Sequence, residues 1–139
     1  MRSIFFTIVF TCLAALPLHA QEKDSVFGDY AAYSAYVDRH IMTRKFSDLI
    51  LRLGGRDEYT KEEIAGLQRQ LEGVWPGDFL QSTVFNRRDL GGGVSQEARM
   101  YWTRSSYGYF YALLHQREND LVVINFALNS DSTPIMNRF

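Results

Sequence analysis

The chain has 139 residues, with 15 Lys and Arg against 16 Asp and Glu and a formal charge of −1. That length suits one domain, and the near-neutral balance excludes the basic footprint that nucleic acid or anionic lipid requires. A single cysteine, Cys12, excludes a scaffold stapled by internal disulfides.

In chain order, residues 1–20 read as a secretory signal peptide. Arg2 supplies the positive start, Ile4 to Leu16 is an uncharged apolar run, and Ala20 stands at the expected cleavage edge. The run falls short of the roughly 20 apolar residues of a membrane span. No stable membrane insertion is therefore expected once it is cleaved. Its removal would leave one domain over 21–139, cysteine-free and carrying a charge of −2, since Arg2 departs with it. Seventeen of the twenty aromatic residues would remain, which argues for a packed core. Export without cysteine points to a bacterial periplasm.

A helical period follows. Phe27, Tyr30, Tyr33, Val37 and Ile41 share one helix face, and Phe46, Leu49, Ile50 and Leu53 resume the stripe after the cluster Thr43-Arg44-Lys45. One bent helix or two consecutive ones fit this spacing equally. A further helix opens at a capping box, Thr60 with Glu63, continues through Ile64, Leu67 and Leu71, and is stopped by Gly73 and Pro76.

After Gly77 the period becomes two. The expected strands are 79–88, 96–104, 107–116 and 121–129, the last three a meander and the first joined to it by a longer loop over Asp89–Gly93. Alternation puts Ala98, Met100, Trp102, Tyr109, Tyr111 and Leu113 on one face, joined by Val122, Ile124, Phe126 and Leu128. That apolar face is expected to pack on the helices. The opposite, mixed face carries Glu97, Arg99, Tyr101, Thr103, Phe110 and Asn125.

Few motifs carry chemistry. His40 and His115, the histidines outside the signal, belong to no ligand cluster, so neither a metal nor another cofactor is expected. There is no G-x-S-x-G elbow. Gly91-Gly92-Gly93 leads into a strand instead of a helix N-terminus, which argues against a phosphate cradle. His115 with Glu118 or Asp120 reads as hairpin proximity. The run Tyr107-Gly108-Tyr109-Phe110-Tyr111 reads as core rather than a stacking platform. The terminal Phe139 is discounted as a barrel signal because Pro134 and Asn137 precede it.

The helical block Phe27–Gly73, the break Trp75-Pro76-Gly77 and strands ending in Leu121–Leu128 resemble the cystatin-like folds, and within them the nuclear transport factor 2-like superfamily. The resemblance covers nearly all of 21–139 and rests on architecture. It implies an α+β fold: N-terminal helices packed on a curved antiparallel sheet of about four strands, whose concave face can form a pocket. The aspartate and tyrosine set of that superfamily's isomerases has no counterpart here.

These readings point to a small exported binding or accessory module without catalytic activity, its partner an unidentified small molecule or protein. A pocket would use Arg99 to receive an anion or carboxylate, Tyr101 and Asn125 to orient polar groups, and Phe110 as an apolar wall. The alternatives are a small-molecule enzyme using general acid–base catalysis in a nuclear transport factor 2-like pocket, and a homodimer built sheet to sheet through the mixed face.

Overall fold

In the computed structural model, residues 23–139 are described. The signal segment expected over 1–20 lies outside them, as does Cys12. The chain therefore holds a cysteine. The cysteine-free reading is corrected accordingly, since Cys12 belongs to the sequence.

A two-residue strand, β1 (Val26–Phe27), leads into helix α1 (Tyr30–Met42). Asp29 caps α1 by accepting a hydrogen bond from the Ala32 amide at 2.7 Å. Helix α2 (Phe46–Arg52) is a separate segment, because Arg44 adopts a left-handed φ of 56° between the two. A 3₁₀ turn (Gly55–Asp57) precedes α3 (Lys61–Val74). The capping box forms: the Thr60 hydroxyl accepts from the Glu63 amide at 3.2 Å, and the Glu63 carboxylate accepts from the Thr60 amide at 2.7 Å.

The four long strands are β2 (Gln81–Gly91), β3 (Val94–Trp102), β4 (Tyr107–Gln116) and β5 (Leu121–Asn129); a short helix, α4 (Thr133–Met136), closes the chain. The sheet is antiparallel, with spatial order β1-β5-β4-β3-β2. The expected curved sheet of about four strands is corrected on both counts. Among the described residues there are five strands, because Val26–Phe27 pairs with Val122 and Leu121, and the sheet is not curled around a helix. Curling needs bulges or glycine kinks repeated across neighbouring strands, whereas β3 and β4 pair over nine successive positions without a shift. The β2–β3 connection is also tighter than expected: Gly91 pairs with Val94, and Gly92 and Gly93 both take positive φ, 61° and 80°, as a type I′ hairpin requires.

The faces are inverted relative to the sequence expectation. Helices α1 and α2 cover the mixed face, where Tyr101, Phe110, Ala112 and Leu114 join Tyr33, Val37, Ile41 and Leu49 in the main core. The expected apolar face looks outward. Its centre, Ala98 and Tyr111, is covered by Ile135 of α4 and by Phe139. The alternation itself holds in β3 and β4, with a four-residue loop placing Trp102 opposite Tyr107 and Met100 opposite Tyr109. In β5 it does not hold. Leu114 pairs with Val123 but Leu113 with Asn125, so Ile124 is an extra residue. Beyond that bulge every side chain changes face, which turns Phe126 and Leu128 towards the helices.

Trp75 ties the helical half to the sheet. It is 1% exposed, and its indole N–H donates to the Tyr107 carbonyl at 2.9 Å. Gly108 lies beneath it, where an added Cβ would sit 2.9 Å from Phe79 and 3.3 Å from Trp75. Gly108→Ala is expected to lower stability by about 1–3 kcal/mol through overpacking, read as a shifted urea midpoint with an unchanged slope.

Candidate functional site

Sequence alternation puts Glu97, Arg99 and Tyr101 on one face of β3, and helix α1 lies across that face with Tyr30, Tyr33 and Asp38. The six side chains form one network. Glu97 is 0% and Arg99 1% exposed. The Glu97 carboxylate accepts three hydrogen bonds, from the Tyr33 hydroxyl at 2.8 Å, Arg99 Nε at 2.7 Å and the Tyr30 hydroxyl at 2.8 Å. Arg99 Nη1 donates to Asp38 Oδ1 at 3.0 Å, and Nη2 to the Tyr30 hydroxyl at 3.3 Å. Asp38 also accepts from the Tyr101 hydroxyl at 2.7 Å. The guanidinium lies 5.2 Å from the Tyr33 ring centroid, within cation–π range.

This arrangement answers the cost of burying charge. An ion taken out of water loses several kcal/mol of solvation unless its partner and its remaining donors are all satisfied. Here one guanidinium is held between two carboxylates, and tyrosine hydroxyls take up the spare lone pairs. Burial and then the Glu97 charge push the Tyr33 hydroxyl well above its usual range, and burial and then Asp38 do the same for Tyr101. Tyr30 shifts upward more modestly, again chiefly by burial and then Glu97. Burial opposes the charge on Arg99, but the Glu97 carboxylate that accepts its Nε–H outweighs that cost and holds the guanidinium protonated.

The residues expected to line a pocket are placed as follows. Arg99 and Tyr101 are adjacent members of the network. Phe110 pairs with Arg99 across β3 and β4 and is fully buried. Asn125 is apart from all three: it pairs with Leu113 beyond the bulge and is exposed. Three of the four therefore share the helix-covered face. Tyr30, Tyr33 and Asp38 complete the site although the pocket reading did not include them. Their signal was present in the polar tips at positions 30, 33 and 38 of one helix, facing a strand that reads Glu-x-Arg-x-Tyr.

His40 stacks on Tyr36 with ring centroids 3.8 Å apart, and its Nδ1 lies 2.8 Å from the Tyr36 carbonyl oxygen. His115 sits half-buried on the opposite face of the sheet. Among the described residues no group of three or more His, Cys, Asp or Glu could hold a metal ion, and no helix is long and apolar enough to cross a membrane.

A second feature is a groove of about 290 Å³. Phe46, Leu49 and Ile50 of α2 form its floor, Leu67 and Leu71 of α3 one wall, and residues 124–128 of β5 the other. Glu58 is the one charged residue among those lining it. The groove exists because α3 is loosely seated, with Ile64 its only fully buried residue. The outer sheet face offers a third feature. Tyr107, 51% exposed, stands beside Tyr109 with ring planes 17° apart; Phe85 meets Tyr109 edge-on, and Trp102 is half-buried opposite Tyr107. The tyrosine run expected in the core is therefore divided: Tyr107 and Tyr109 face out, while Tyr111 is buried under α4.

The tyrosine shifts fix an alkaline response. The unfolded chain releases tyrosine protons near pH 10, while Tyr33, Tyr101 and Tyr30 keep theirs in the fold. Their contribution to stability is thus complete below pH 10 and declines as pH rises through the folded values. Absorbance near 295 nm is expected to show no ionisation of Tyr33 and Tyr101 until unfolding, and the urea midpoint is expected to fall above pH 10. Eight tyrosines titrating together near pH 10 in folded protein would contradict the network.

No family model, no curated protein and no solved structure matches the chain, so no family is assigned to it.

Proposed function

We propose that the chain is a small non-catalytic binding module whose ligand sits in the groove between α2, α3 and β5. The observation that carries this reading is the division of labour between polar and apolar surfaces. The acid–base groups Glu97, Arg99 and Asp38 are spent on one another at the helix–sheet interface. The groove offers apolar side chains and a single charged residue, Glu58, which suits an apolar ligand oriented by few polar contacts. General acid–base catalysis on a small molecule would need a tuned ionisable group facing the substrate. Glu58 is the one charged side chain among those lining the groove.

A homodimer is the second reading, favoured by one observation. Phe85, Met100, Trp102, Tyr107 and Tyr109 form an aromatic-rich patch on the outer sheet face, and such residues are enriched in interface centres. This is the opposite face from the one that alternation suggested.

Titration with 1-anilinonaphthalene-8-sulfonate separates the two surfaces. Fluorescence enhancement by the folded protein is expected to fall at least tenfold in Leu67→Lys and to survive in Trp102→Ala. Loss in Trp102→Ala with full enhancement in Leu67→Lys would move the binding surface to the sheet and end the groove reading. For the dimer, sedimentation velocity is expected to show concentration-dependent association that Tyr107→Asp abolishes; a monomer at all concentrations would remove it.

A further inference from the structure

The connection between α2 and α3 brings a carboxylate and an aromatic ring to the groove. The 3₁₀ turn Gly55–Asp57 packs so tightly on α2 that Gly55 has no room for a Cβ beside Ile50, itself part of the groove floor. The Glu58 and Tyr59 amides both donate to the Gly55 carbonyl, at 3.2 and 3.1 Å, which ties the two residues to that turn. Both line the groove. They immediately precede α3, so they stand at the end where that wall begins, with Leu67 and Leu71 further along it.

The fold makes no other use of the Glu58 carboxylate. The positive end of α3 is already answered by the capping box of Thr60 and Glu63. Of the basic residues nearest in sequence, Arg56 donates from Nε to Asp24 at 2.6 Å. Arg56 and Lys61 both line a separate cavity with Leu51, Ile64 and Ala65. Glu58 makes no ion pair with a described residue. It is exposed, and Tyr59 beside it is 41% exposed.

An apolar groove that ends in a carboxylate beside an aromatic ring has the elements of an ammonium site. The carboxylate attracts a protonated amine and accepts its hydrogen bonds, and a tyrosine ring attracts the same cation through its face. An anionic ligand would meet Glu58 with like charge. A wholly apolar ligand would take water from the carboxylate and return no partner, which costs solvation. Along the rest of the groove Phe46, Leu49, Leu67 and Leu71 offer apolar surface to an alkyl body.

Resting on the groove as the binding site, we infer that its ligand is an amphiphilic amine, with an alkyl body between α2, α3 and β5 and a protonated amino group at Glu58 and Tyr59. The exposure of both residues sets the scale. Ion pairs and cation–π contacts open to water are each worth up to about fivefold in affinity. The alkyl body therefore supplies most of the binding, and the charge orders ligands by class.

The test titrates octylamine, octanol and octanoate into the ¹⁵N-labelled full chain at neutral pH and low salt, where the three probes share an alkyl body and differ in charge. Octylamine is expected to bind tighter than octanol by about threefold or more, and octanoate more weakly than octanol, with the Glu58 and Tyr59 amides among those shifted. Glu58→Gln, at an exposed position, is expected to bring the three affinities within about twofold of one another and to leave the thermal midpoint unchanged. Octylamine no tighter than octanol, or a preference that survives Glu58→Gln, would overturn the amine assignment. Octanol, being neutral, reports on the groove alone. Its loss in Leu67→Lys keeps the groove reading even where the amine preference is absent, whereas its survival there would end that reading and the assignment with it. Failure of all three probes to bind would overturn the assignment, and the dye titration then shows independently whether the groove reading stands.

Discussion

One buried ion pair determines how this molecule is assembled. Glu97 and Arg99 lie two residues apart on β3 and are both excluded from water, which is tolerable only where every polar atom finds a partner. Helix α1 supplies those partners through Tyr30, Tyr33 and Asp38. The match fixes the rotation of α1 about its axis and its position along the strand. The polar network therefore selects the face, and the apolar contacts of Val37, Ile41 and Phe110 fill it.

Helix α2 follows from α1 through the tight turn at Arg44, and α3 hangs from α2 across a 3₁₀ turn. Burial of the helices varies with distance from the ion pair. Close to it the helices are fully seated, while α3 buries only Ile64 and leaves the groove against β5. Among the described residues β1 has two residues, and the Lys23–Val26 turn before it is closed by a 3.1 Å hydrogen bond.

Much of the architecture is legible in the sequence. The capping box at Thr60, the break at Trp75-Pro76 and the bounds of β4 and β5 follow from local chemistry, which acts within a few residues. The faces were not legible for a different reason. Counting apolar residues treats Glu97, Arg99 and Tyr101 as solvent-seeking, yet each is satisfied by a residue more than sixty positions away. Alternation through β5 failed at Ile124, because a bulge of one residue reverses parity and leaves no mark in composition. Of the pocket residues, Arg99, Tyr101 and Phe110 do share a face, and the same bulge puts Asn125 on the other. The groove itself was invisible, since it comes from a helix that packs loosely.

A double-mutant cycle on the pair, with Arg99→Met, Glu97→Met and the double variant unfolded in urea, tests the dependence of the fold on this interaction most directly. Removing either partner strands a buried charge and is expected to cost about 3–5 kcal/mol, while the double variant is expected to cost much less than the sum, with a coupling above about 2 kcal/mol. Single effects that add to within about 0.5 kcal/mol would show that the two charges do not depend on each other, and that the helices choose their face for some other reason.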